Sequence, residues 1–166
     1  RMPLEAELSM ERFGVPTAFD PASYEHKAEL VVYYQRLHNL LEIVGICFYA
    51  TYWCGMQMMG PDEVARLYSL ATGKTKTGDD LMAEGEQILY LQKAFNMRHT
   101  DFDRAADYPP DRMMREGASG PHAGARLDRA DWDQLLDQYY DLRGWDRVSG
   151  RPTPENFRAV GLPELV

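Results

Sequence analysis

Cys47 and Cys54 are the two cysteines of this 166-residue chain, and a thiolate serves as nucleophile or metal ligand. On one continuous helix their seven-residue spacing would place them on the same face about 10.5 Å apart, too far for a disulfide. The spacing matches no zinc pattern, and two thiolates alone do not close a metal site. Read as packing, both are small hydrophobes in an apolar segment. His38 and Glu42 stand one helical turn apart and can share a metal ion or a hydrogen bond. The same pair on an exposed face is an ordinary i, i+4 contact. His26, His99 and His122 have no partner at ligand spacing, and no G-x-S-x-G, Walker loop or G-x-G-x-x-G occurs.

Helices must position these residues. No convincing period-2 strand is present, and the pattern predicts an all-α, irregular multi-helix domain. Residues 1–22, with Pro3, Gly14 and Pro16, read as an irregular leading segment, and 23–166 as the helical domain. Asp20-Pro21 predicts a helix start, and the helix runs to about Leu41 with Ala28, Val31, Tyr34 or Gln35, His38 and Leu41 along one stripe and Leu30, Leu37 and Val44 beside it. Gly45 ends or bends it. Gly60-Pro61-Asp62-Glu63 restarts a helix that stops at Gly73. Thr77-x-x-Asp80, a capping box with Asp for the usual Glu, opens the clearest helix, about 78–95, with Leu81, Gly85, Ile88, Gln92 and Phe95 on one stripe. Gly85 invites a close helix approach. Residues 97–127 predict a long connection that wraps a neighbouring surface. Asp128-x-x-Asp131 caps a helix that buries Trp132, Leu135, Leu136, Tyr139 and Leu142 and stops at Gly144; Thr153-Pro154-Glu155 starts a last short one through Phe157 and Val160.

From Ile43 to Pro61 the chain carries no formal charge for nineteen residues. Gly45, Gly55 and Gly60 interrupt this run, Thr51 and Gln57 dilute it, and its flanks are acidic, so a membrane span is not expected. Burial against other protein or a large cofactor is, which makes Ile43–Gly60 the most buried or most interfacial stretch. With 26 Asp and Glu against 18 Lys and Arg, the net charge is −8. That balance argues against nucleic acid as a partner, and no basic amphipathic anchor for a membrane surface is present. Two cysteines make no disulfide framework, which points to a reducing, cytoplasmic compartment. A chain that opens on Arg1 reads as a piece of a longer protein.

Three segments, in order, carry a resemblance. Glu42-Ile43-Val44-Gly45-Ile46-Cys47 resembles the D-x-x-G-L-C motif near the C-terminus of tungsten-containing aldehyde:ferredoxin oxidoreductases. Gly78-Asp79-Asp80-Leu81, Gly85-Glu86 and Phe95-Asn96-Met97-Arg98 are similar to that family's G-x-x-L-x-x-x-G-E-R-x-x-x-L-x-x-x-F-N-x-R helix. Asp137-Gln138-Tyr139-Tyr140-Asp141-Leu142-Arg143-Gly144-Trp145-Asp146 resembles its D-x-Y-Y-x-L-R-G-W-D stretch, and Pro152-Thr153 and Leu162 complete the tail. The resemblance spans residues 23–166 and identifies the chain as the C-terminal domain of such a protein.

What the resemblance implies is an intact enzyme holding tungsten in two pterin dithiolenes (tungstopterin) beside one [4Fe–4S] cluster. Such an enzyme oxidises an aldehyde substrate to a carboxylate and passes electrons to ferredoxin or another electron-transfer protein. Carried over, Cys47 is the fourth cluster ligand, and Glu42, Gly45, Ile46 and Cys47 form the pterin-contact segment. The other three thiolates would come from an upstream C-x-x-C-x-x-x-C run, so the remaining domains of the same enzyme are the first expected partner. The isolated chain is expected to be inactive and to hold no cofactor. Glu42 stands where the family has Asp, and Ile46 where it has Leu. A thiolate suits iron–sulfur ligation, Gly45 permits close backbone approach, and a carboxylate can accept hydrogen bonds from pterin N–H groups. The alternatives are the tungsten subunit of a benzoyl-CoA reductase type complex and a non-catalytic helical scaffold.

Overall fold

A computed structural model describes residues 5–16, 20, 23–52, 58–120 and 123–165. Cys54 and Pro21 lie outside the described residues. Those described form an all-α domain with helices α1 (Glu5–Phe13), α2 (Lys27–Val44), α3 (Pro61–Thr72), α4 (Gly78–His99), α5 (Arg112–Arg115), α6 (Arg129–Arg143) and α7 (Pro154–Ala159). Among the described residues there is no strand, only isolated bridges at Thr51–Met59 and Asp146–Arg151. No helix among them is long and apolar enough to cross a membrane.

Local capping chemistry sets most boundaries. The Thr77 amide donates to Asp80 Oδ2 at 2.8 Å, and the Asp80 amide donates back to Thr77 Oγ1 at 3.1 Å. This reciprocal box starts α4 where expected. Thr153 and Asn156 repeat it at α7, and Asp128 accepts from the amides of Ala130 and Asp131 at α6. Helices α2, α3 and α6 end at Gly45, Gly73 and Gly144.

Four expectations change. The segment read as irregular contains α1 at Glu5–Phe13. Helix α2 starts at Lys27, because His26 takes a left-handed φ of 55° that breaks the helical path; the Asp20 carbonyl instead closes a turn with the Ser23 amide. Helix α4 continues to His99, with Arg98 and His99 suited to its C-terminal dipole. The long connection 97–127 is partly ordered by a 3₁₀ turn at Arg104–Asp107 and the single turn of α5.

The buried faces also differ from the simple stripes. In α2, Ala28, Val32, Leu37, Asn39, Leu40 and Leu41 are buried, whereas Val31 and His38 face out. In α4, Leu81, Gly85, Glu86 and Tyr90 are inside, whereas Gln92 and Phe95 are exposed. In α6, Leu142 is exposed and Tyr140 and Arg143 are buried. The cause is that α2 packs on both α4 and α6, so its covered face is wider than one 3.6-residue stripe.

Two apolar clusters result. Leu37, Leu40 and Leu41 meet Val64, Ala65 and Leu81 in the first; Tyr90, Leu136, Tyr140, Trp145 and Phe157 form the second. Helix α4 spans both, and Gly85 sits between them. A Cβ at Gly85 would lie 2.3 Å from the backbone oxygen of Arg36, so α2 and α4 touch backbone to backbone there.

The connection 97–127 is fastened to α6 by polar contacts. Arg104 donates to Asp137 Oδ1 at 2.6 Å and to the backbone oxygens of Arg147 and Asp133. Burial alone would weaken that guanidinium's hold on its proton, but hydrogen bonds with Tyr108 and Asp137 outweigh it and raise its pKa. One turn on, Tyr140 Oη donates to Asp107 Oδ2 at 2.5 Å. Burial first, then the Asp107 carboxylate, push the Tyr140 phenol far above its ordinary value, and burial also raises Tyr90 and Tyr139.

Two predictions follow from this packing. Gly85→Ala should force α2 and α4 apart and lower stability by about 1–3 kcal/mol, read as a reduced denaturant midpoint. For the tyrosines, a folded pKa above the unfolded value of about 10 means that stability is fully present below that pH and is lost as pH rises beyond it. Alkaline titration followed at 295 nm should show a late ionisation step coincident with loss of helical circular dichroism, and the step should shrink in Tyr140→Phe. Smooth ionisation with the fold intact would contradict it.

Candidate functional site

The C-terminus of α2 brings Glu42, Gly45, Ile46 and Cys47 together on one helix end and the loop after it. Gly45 takes φ 73°, a left-handed value that a glycine adopts without strain. The amides of Gly45 and Ile46 both point back to the Leu41 carbonyl, the second at 3.0 Å. The chain therefore reverses within two residues. Ile46 then packs on the first apolar cluster with Phe48 and Met59, while Cys47 is exposed as a free thiol.

Beyond Cys47 the loop is held by short-range bonds. A 3₁₀ turn at Phe48–Ala50 follows, with the Ala50 amide on the Cys47 carbonyl at 2.9 Å. Thr51, fully buried, gives its hydroxyl to the Phe48 carbonyl at 2.6 Å. The Tyr52 amide donates to Met59 O and the Met59 amide to Ala50 O, at 3.1 and 3.2 Å. The segment Ile43–Gly60 is therefore not uniformly buried. Thr51 and Gly60 are inside, but Ile43 is 54% and Tyr49 69% exposed beside the thiol. Because α2 stops at Val44, Cys47 is not on that helix, and Cys54 lies outside the described residues.

Glu42 is exposed and pairs with His38, Nε2 to Oε1 at 3.0 Å. Of the two options open to that pair, this is the direct contact. The His38 ring also meets Phe48 edge-on at 5.2 Å, which ties the helix end to the turn after Cys47. Among the described residues no group of three or more His, Cys, Asp or Glu is placed to hold a metal ion. A single thiol acting as a ligand here would need others from elsewhere. The donor set fits that requirement: the thiol faces out, and nothing lies within 4 Å of where a Cβ at Gly45 would stand. The backbone there is open to a flat, bulky group.

Sequence reasoning missed the support behind this end of α2. Glu86 and Arg143 are buried and ion-paired, Arg143 Nη1 to Glu86 Oε1. The other carboxylate oxygen accepts from Arg36 Nε at 2.8 Å. Gln35 Oε1 accepts from Arg143 Nη2 at 2.5 Å and from Tyr139 Oη at 3.0 Å. Composition gave no signal, since charged residues default to the surface; the two resembling segments around Glu86 and Arg143 did mark the positions.

Residues 2–162 match the family described as aldehyde ferredoxin oxidoreductase, domains 2 & 3. The tungsten-containing aldehyde ferredoxin oxidoreductases of Pyrococcus abyssi and Pyrococcus horikoshii are each 28% identical to this chain over 163 residues, 96% of its length. That of Thermococcus kodakarensis is 28% identical over 164 residues. The chain spans 25% of the length of these relatives. Among solved structures, the active site complex BamBC of benzoyl coenzyme A reductase with 1,5-dienoyl-CoA is similar at a TM-score of 0.70 and 20% identity. That match covers 88% of this chain and 20% of the other, a likeness of fold.

Proposed function

This chain belongs to the family of aldehyde ferredoxin oxidoreductase domains 2 and 3, as the C-terminal domain of such a protein, and we propose that it contributes one iron–sulfur ligand and a pterin-contact segment to a longer tungsten enzyme. The observation that carries the proposal is the Cys47 thiol, exposed directly after the reversal at Gly45. When bound, tungstopterin and a [4Fe–4S] cluster supply the oxidation of an aldehyde to a carboxylate and the onward passage of electrons to a carrier such as ferredoxin.

This chain's own residues bind and orient. Cys47 offers its sulfur as a thiolate ligand, held in place by Ile46, partly buried against the first apolar cluster, on one side and the Phe48–Ala50 turn on the other. Gly45 leaves its backbone accessible for close approach. Glu42 presents a carboxylate that can accept hydrogen bonds from pterin N–H groups, once its contact with His38 gives way or is shared. The remaining ligands come from other parts of the longer protein, in keeping with the quarter of the relatives' length that this chain spans.

In the longer enzyme, Cys47→Ala should lower iron content and stop electron delivery. Cys54→Ala should cost no more than a packing defect of about 1 kcal/mol. Iron retained in Cys47→Ala but lost in Cys54→Ala would overturn the assignment, and a non-catalytic scaffold would lose iron in neither. Glu42→Ala should reduce tungsten per chain, and Glu42→Gln should keep part of it, because the amide oxygen still accepts. Equal tungsten in wild type and Glu42→Ala would remove the role.

A further inference from the structure

We propose that Glu86 is a positioning residue for the Gly45–Cys47 loop: it locks the C-terminal half of α2 to α4 and α6 and thereby sets where the Cys47 thiol stands. The functional meaning of that placement rests on reading Cys47 as a cofactor ligand; the mechanical claim does not.

One carboxylate joins three helices. Glu86, on α4, receives Arg36 of α2 on one oxygen and Arg143 of α6 on the other. The Arg143 side chain has no exposed surface, and its guanidinium lies over the Tyr139 ring at 4.9 Å. Beside this joint, Asn39 Nδ2 donates to the Gly85 carbonyl at 3.1 Å, and the Arg36 backbone rests on Gly85. Residues 36 and 39 of α2 are thus fixed to residues 85 and 86 of α4 by directional bonds.

Leu41, whose carbonyl anchors the amides of Gly45 and Ile46, follows Arg36 by five residues, about 7.5 Å of helix. Apolar packing of Leu37, Leu40 and Leu41 holds α2 in the core, but burial is non-directional and tolerates small rotations or slides. Charge-assisted hydrogen bonds do not tolerate them. The register of the loop therefore depends on Glu86. Both of its oxygens are engaged and it is almost fully buried, so it acts through α2 and does not touch a substrate.

The test is hydrogen–deuterium exchange in the longer protein that carries this chain, comparing residues 45–52 with residues 157–162 of the α7 end as an internal reference. Glu86→Gln should speed exchange of 45–52 by about tenfold while 157–162 changes little, because only local opening is made easier. Glu86→Asp should recover part of the protection. Arg36→Gln leaves the Glu86–Arg143 pair in place and should give a smaller change of the same pattern; it carries the test if Glu86→Gln does not accumulate. A role in overall stability alone would move both segments together, and that outcome in both Glu86→Gln and Arg36→Gln would overturn the proposal. Iron per chain should fall in step with loop exchange. If Cys47→Ala keeps its iron, the ligand reading fails, and the exchange data still decide the positioning claim.

Discussion

A single buried carboxylate shared by two guanidiniums constrains the rest of this domain. Removing Glu86 and Arg143 from water costs several kcal/mol per ion, which the fold recovers only if both oxygens and most of the N–H groups find partners. Gln35, Tyr139 and the aromatic face over Arg143 supply much of that shell. Meeting those demands requires α2, α4 and α6 to converge at one point, and Gly85 makes the convergence possible by letting the α2 backbone approach without a side chain between. The two apolar clusters lie on either side of this joint. They supply most of the favourable burial, at roughly 1.5–3 kcal/mol for each large side chain, but not the register.

The candidate site is built on the opposite principle. Where the joint is closed and both carboxylate oxygens are paired, the end of α2 opens outward. After Gly45, Ile46 packs against the edge of the first apolar cluster and Cys47 is exposed, so the residue next to the thiol is an anchor. The bonds of residues 47–52 and 59 run largely within the loop, and Cys47 is exposed. A ligand held this way has a fixed backbone and an open approach. That is the combination required of a residue meant to complete a site whose other donors lie elsewhere.

How much of this was legible in the sequence depends on the range of the forces involved. Thr77 with Asp80, Asp128, Thr153, Gly73 and Gly144 act within four residues, and each marks the boundary expected of it. Gly85 was legible for the same reason, as a residue with a limited set of uses. The faces were not. Val31, His38, Phe95 and Leu142 fall on periodic stripes yet are exposed, because what a helix buries is decided by the helices packed against it and not by its own period. Glu86 and Arg143 were visible only as members of resembling segments. Nothing in their types distinguishes a buried pair from a solvated one, since the deciding contacts span 57 residues. The helix start at Asp20 misled because a good cap also makes a good turn, and the left-handed His26 decides between them.

The exposed apolar side chains beside Cys47 fit the same account. Ile43 and Tyr49 lie open in a segment without charge, next to Glu42, which pairs with His38 of the same helix. A face of this kind is costly to leave in water and easy to cover, for apolar contact needs no particular geometry. In the longer enzyme proposed above, such a face would meet the rest of the protein. On that reading the division of labour is physical: directional charge contacts centred on the buried Glu86 fix the geometry, and non-directional apolar contacts at the surface would close the site around it.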